Sequence, residues 1–366
     1  MYFWNLGSST PGLSPAEALS RDSSRDLAAI FEAPVNAPHR LLQLGLTQIN
    51  SGTISLRSAS VVFMLIFLVL FYLMIRLWFG RFIAALSTLI LAASPWLVVV
   101  ARSATPAVML LAPLALIAEF LWLTRRRKYL NLSWLIFVIT VALAIYIPGM
   151  IWFVLIGGAI KWKELSGLAS AVNGWVASLS MLIFLAAITP LAMAIGKQPD
   201  IVKDLFLVPD QLAGTLATVK SIGWSALSLI WRLPYTTDLT VGRLPLLTLA
   251  QIAMSAFGLY AMWTNAKRET LQLAALLVAS ILLAGLNNQL LLLIPAVVVI
   301  CIFTAAGLRY LYVEWRDIFP RNPLPRGLAV VLMLILVGVQ LAYGWRYALV
   351  AWPNTAATKN VYMVEY

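Results

Sequence analysis

The chain has 366 residues, 62% hydrophobic and only 11% charged, with a formal net charge of +12 and a mean hydropathy of +0.90. Soluble domains are about half apolar and roughly a quarter charged, so this composition excludes a soluble globular protein and defines an integral membrane protein. The single cysteine, Cys301, excludes an intrachain disulfide.

Residues 1–57 form a polar, mixed-charge segment ahead of an otherwise greasy chain, with acids at Glu17, Asp22, Asp26 and Glu32. The opening MYFWNLG resembles the last turn of a helix begun further upstream, as expected of a late start, a fragment or an N-out protein. Apolar runs nearly free of charge follow near 58–77, 82–100, 105–123, 131–147, 148–160 and 174–196, a first transmembrane bundle over 58–196. The stretch YIPG at 146–149 reads as a kink or as a turn. In the long loop 197–244, Leu212, Leu216, Val219, Leu227, Ile230 and Trp231 recur at helical spacing and predict an amphipathic helix on the membrane face over 212–231. Runs near 245–263, 270–286, 289–308 and 327–347 make a second bundle over 245–347, followed by a tail at 348–366. The short alternating segments of a β-barrel are missing. The expected fold is therefore an all-α polytopic membrane protein of about ten transmembrane helices, with an outer-face first loop and an interfacial helix.

Charge sets the expected topology. Arg76 and Arg81, the run Arg125 to Lys128, Lys161 and Lys163, Lys267 and Arg268, then Arg309, Arg316, Arg321 and Arg326 all lie in short connections between apolar runs. That is the positive-inside pattern of cytoplasmic loops rather than a nucleic-acid surface. Threading ten spans from an outer 1–57 puts these clusters inside. Outside it leaves the first segment, the 197–244 loop, the tail and most of the acids. Trp78, Trp96, Trp122, Trp134, Trp175, Trp263 and Trp345 fall near span ends, as an interfacial belt requires.

No phosphate-binding glycine loop, dinucleotide fingerprint, nucleophile elbow or His/Cys metal spacing occurs. His39, the only histidine, reads as a polar loop residue. Glu119 is the one acid within a span, close enough to 125–128 to snorkel and pair. So uncharged an interior argues against an ion-driven carrier, which keeps ionisable groups at mid-depth. The remaining place for chemistry is the outer membrane face.

Residues 56–103 carry the most informative pattern. Arg57 opens a helix, RLWFGR at 76–81 makes a basic-aromatic turn, and the next helix carries Ser94-Pro95-Trp96 before Arg102. A later helix, IPAVVVICIFTAAGL at 294–308, opens on a proline and ends near a glycine. Together these resemble the GT-C polyprenyl-phosphate-sugar glycosyltransferases, the group of protein O-mannosyltransferases and aminoarabinose transferases. That resemblance implies an acidic pair in the first outer loop, where PGLSPAEALS stands at 11–20; the second acid matches Glu17 and the first falls on Ala16. A further acid expected shortly after Arg102 falls near Ala107.

The resemblance implies transfer of a sugar from a polyprenyl-phosphate donor to a cell-envelope glycan, lipid or protein at the outer face, with membrane lipid as the setting and no nucleic acid. Such a reaction needs a carboxylate to take the acceptor proton, and cations or a divalent metal for the departing phosphate. Glu17 is the favoured base, with Asp22 and Asp26 weaker alternatives. Arg57 and Arg102, at outer span ends, suit the lipid phosphate. Arg232, Asp238 and Asp210 in the large loop suit the same cavity. No residue is assigned as a metal ligand. Simpler readings stand beside these. Ser14-Pro15-Ala16-Glu17 matches a helix capping box, RDSSRD at 21–26 pairs charges on a solvated face, and the arginines suit plain interfacial anchoring. Two rival functions remain: a non-catalytic relative, favoured by Ala16 and Ala107, and a lipid-linked-sugar carrier or flippase.

Overall fold

The structure, a computed structural model, describes residues 1–125, 129–209 and 214–365. Among these, regular structure is helical apart from one isolated bridge between Leu13 and Val364. Three short helices come first: α1 (Pro15–Ser23), α2 (Leu27–Glu32) and α3 (Ala37–Ile49). The sequence signals at the start of α1 are obeyed. Ser14 accepts from the Glu17 amide, Glu17 reaches back to the Ser14 amide, and Pro15 occupies the first turn, where its missing N–H costs nothing. Asp26 caps α2 through the Ala29 amide at 2.7 Å. These helices fold over one end of the bundle.

That end belongs to α4 (Thr53–Phe79), α5 (Arg81–Ala92), α6 (Pro95–Ala101) and α7 (Ala112–Arg125). The expected straight span at 82–100 is corrected: α5 and α6 meet at a 67° bend. Pro95 can neither donate to the turn before it nor avoid the carbonyl there, and Ser94 is extended as residues before proline prefer. The expected span at 105–123 likewise opens as a 3-10 turn, Pro106–Leu111, before α7.

The chain continues through α8 (Leu130–Ala144), α9 (Met150–Ile160), α10 (Trp162–Ala171), α11 (Gly174–Lys197), α12 (Asp200–Phe206), α13 (Thr215–Ile230), α14 (Leu249–Asn265), α15 (Lys267–Asn287), α16 (Ile294–Ile318), α17 (Pro323–Trp345) and α18 (Ala356–Val361). Every expected apolar run is helical; among the described residues six segments are by themselves long and apolar enough to cross a membrane, or seven with the bent pair. The other three expected spans are the shorter helices α8, α9 and α14, whose 15, 11 and 17 residues reach about 22, 16 and 26 Å against a hydrocarbon core of about 30 Å. YIPG is a turn between α8 and α9, with Gly149 at φ +77°.

In α13 the residues expected to form an apolar face, Leu216, Val219, Leu227, Ile230 and Trp231, are all exposed, while Ser225 and Ser228 face the protein. Leu212, like Asp210 and the basic residues 126–128, lies outside the described residues. Glu119 accepts a hydrogen bond from Thr140 of α8 at 2.9 Å. The core is built around α16, in which every residue from Ile294 to Leu308 is buried, as suits a helix apolar on all sides. Its crossing with α14 depends on glycine. A Cβ on Gly258 would overlap the Phe303 carbonyl, and one on Gly307 the Met254 carbonyl.

Candidate functional site

The polar end of the bundle is organised by two buried arginines. Arg57, in the second turn of α4, donates from Nε to Glu17 Oε1 at 3.0 Å and from Nη2 to Glu17 Oε2 at 2.8 Å. Both side chains are about 1% exposed. Glu17 Oε1 also accepts from the Ala104 amide at 2.8 Å, and Oε2 from the Ser14 amide at 3.3 Å. Arg57 uses its remaining donors on the carbonyls of Leu6 and Gly12 and on Thr10 Oγ1. A buried ion pair is tolerable only when its remaining hydrogen-bonding sites are satisfied, and here they are. Gln43 of α3 continues the network, accepting from Ser20 and donating to the carbonyls of Leu56 and Ala104, each within 3.1 Å. Residues 6–17, α3, α4 and the turn after α6 are thus one hydrogen-bonded unit.

Arg102, just beyond α6, is satisfied on one side only. Its Nη1 donates to the carbonyls of Met1, Tyr2 and Trp4 at 3.0, 2.9 and 2.8 Å. Nε and Nη2 are buried without a partner. Burial, and after it the neighbouring charge of Arg57, pull its pKa down to about 10, which leaves it a cation at neutral pH. Arg102 borders a cavity of about 570 Å3 walled by residues 4–5 and 8–11 on one side and by Leu349, Pro353, Asn354 and Lys359 on the other.

The second wall is fixed by aromatics. Trp352 donates from its indole N–H to the Asp238 carbonyl at 2.7 Å and meets Tyr362 edge-on, ring centroids 5.5 Å apart. Tyr362 is fully buried, with the Arg57 guanidinium 5.8 Å from its ring centre. Leu13 and Val364 then exchange two backbone hydrogen bonds, of 2.8 and 3.1 Å. The segment 352–364 therefore straps across the Glu17–Arg57 pair. Burial, followed by the charges of Glu17 and Asp238, raises the Tyr362 hydroxyl well above its ordinary pKa. Asp238, half-buried, is also raised, mainly by burial and further by the charge of Glu17.

The structure thus gathers Glu17, Arg57, Arg102 and Asp238 at one end of the bundle. Glu17 does not present a free carboxylate there: both oxygens are spent on internal donors, so its local work is to cap α1 and hold Arg57. Asp22 pairs with Arg21 at 3.0 Å and is 67% exposed; Asp26 caps α2. Arg232 is exposed and lies 5.8 Å from the Trp224 ring centre, apart from the cavity. His39, expected in a loop, is buried in α3, its Nε2 2.9 Å from Ser60 Oγ, which donates to the Thr105 carbonyl. Among the described residues no group of three His, Cys, Asp or Glu is placed to hold a metal ion. Gln43, Trp352, Lys359 and Tyr362 were not singled out from sequence. Nothing local marks them, because each matters through partners far away in the chain.

Fold and site together define a polytopic helical membrane protein with a basic cavity at one end of its bundle. Among solved structures it is similar to ArnT from Cupriavidus metallidurans. The form bound to undecaprenyl phosphate gives a TM-score of 0.64 at 13% identity, over 96% of this chain and 75% of that one. The apo form gives 0.59 at 15% identity, over 99% and 73%. No protein-family model and no curated protein matches the sequence.

Proposed function

We propose that the chain is a membrane glycosyltransferase that moves a sugar from a polyprenyl-phosphate donor to an acceptor at the outer membrane face. The observation that carries the proposal is Arg102: a buried guanidinium with two unpartnered donors beside a polar cavity. Leaving such donors unmet is costly, and a phosphate oxygen is the acceptor that best matches a guanidinium. The donor lipid's tail would stay in the bilayer beside α4 while its phosphate reached Arg102.

In the reaction, the acceptor oxygen attacks the anomeric carbon as the bond from that carbon to the phosphate oxygen breaks. The electron pair leaves on the phosphate, whose charge Arg102 stabilises. The acceptor proton passes to a carboxylate. With Glu17 consumed by Arg57, we assign that part to Asp238, the half-buried carboxylate that stands behind the cavity lining, where its backbone carbonyl is bonded by Trp352 of the second wall, and that would reach the acceptor from there. Glu17 becomes a positioning residue for Arg57 and the cavity wall. A second reading, a lipid-binding relative without catalysis, draws on the enclosure of Glu17 together with Ala16 and Ala107.

The test is transfer from labelled undecaprenyl-phosphate sugars to cell-envelope acceptors in proteoliposomes. The catalytic assignment expects turnover in wild type and a loss of about a hundredfold or more in Asp238→Asn, with donor binding retained. Donor binding without turnover in wild type would establish the non-catalytic reading instead. Lipid movement across the bilayer without bond cleavage would establish a carrier.

A further inference from the structure

Resting on that assignment, we propose that Lys359 is the second phosphate-binding cation of this cavity, delivered by the 352–364 strap. Three observations converge on it. Lys359 lines the same cavity as the half-satisfied Arg102. It is exposed, and among the described residues it makes no ion pair. Among the described residues no carboxylate lines the cavity, so two cations border about 570 Å3 of space without a counter-charge in its lining. Like charges gathered in a concave site lower the cost of bringing in an anion and raise its local concentration.

The lysine also stands on a platform of fixed position, which an incidental surface lysine lacks. Helix α18 is capped by Thr355 through the Thr358 amide at 3.2 Å. On one side Trp352 is tied to the Asp238 carbonyl, and on the other Tyr362 is buried and Val364 is bridged to Leu13. A flexible ammonium on a held helix and a planar guanidinium bordering the same cavity give complementary grips: Arg102 fixes orientation and Lys359 supplies a point charge. The ligand class is a phosphate ester. Ser8, Ser9 and Asn354 along the walls offer hydrogen bonds to hydroxyls carried beside that phosphate.

The test is binding of undecaprenyl phosphate, inorganic phosphate and phosphatidylglycerol to the detergent-purified full chain, comparing wild type with Lys359→Gln, Lys359→Glu and Lys359→Arg. Because Lys359 is exposed, melting without ligand is expected to stay unchanged in all three. Undecaprenyl phosphate should bind roughly tenfold more weakly to Lys359→Gln, and more weakly still to Lys359→Glu, with most affinity restored by Lys359→Arg. A smaller salt dependence in Lys359→Gln would mark the lost charge. If inorganic phosphate shows the same Lys359 dependence and the lipid adds nothing, the site stands but serves a free phosphate. If wild type binds undecaprenyl phosphate and Lys359→Gln binds it equally, Lys359 is overturned and the transferase assignment survives. If wild type binds none of the three, both fall.

Discussion

Glu17 illustrates how a buried charge constrains the interpretation of a substitution. Removing one partner of an enclosed ion pair leaves the other uncompensated, at a cost of about 3–5 kcal/mol. Glu17→Gln is therefore expected to lower the melting temperature in detergent whether or not the residue touches substrate, and lost turnover in that variant alone would not identify a base. Glu17→Gln combined with Arg57→Met should recover part of the stability; a double variant no more stable than Glu17→Gln would contradict the pairing. His39 makes a prediction of the opposite electrical kind. Burial first, and Arg40 second, lower its pKa to about 3, so the folded protein holds it neutral. Between that value and the ordinary one near 6.5 the unfolded chain binds a proton that the folded chain refuses. Stability should therefore fall as pH drops through this window, by about 2 kcal/mol at pH 5. Denaturant melts of wild type and His39→Gln across pH 4–7 check this, the variant having the flatter profile.

At the scale of elements, hydropathy located every long helix, because a segment that cannot bond to water must satisfy its backbone internally wherever it lies. Helix ends and breaks were harder to read. Pro95 and Pro148 were visible in the sequence, yet a proline inside an apolar run can sit in a continuous helix, as Pro190 does within α11. Which outcome prevails depends on whether neighbouring elements satisfy the freed carbonyl, and that is a tertiary property. The capping box at Ser14 was legible because it is local. Its other half was not: Glu17 and Arg57 each stood out, but their pairing spans 40 positions. The strap was least legible of all. Lys359 and Tyr362 carry no neighbouring motif and gain meaning only from Arg102, Trp352 and Asp238.

For the molecule as a whole, the proposed chemistry requires the cavity end to face away from the cytosol. Cys301 is buried, so single cysteines placed at Ser8, Lys359 or Arg268 would be the reactive thiols. Ser8→Cys and Lys359→Cys are expected to react with an impermeant maleimide added to intact cells, and Arg268→Cys only after lysis. The reverse pattern would remove the outward-facing site. The bridge between Leu13 and Val364 has a further consequence, for biosynthesis. These partners lie 351 positions apart (364 − 13), so the strap cannot reach the residues around Glu17 until the helices between them have been made. Tyr362, whose ring lies 5.8 Å from the Arg57 guanidinium, adds its share of the cover on the Glu17–Arg57 pair only at that late stage.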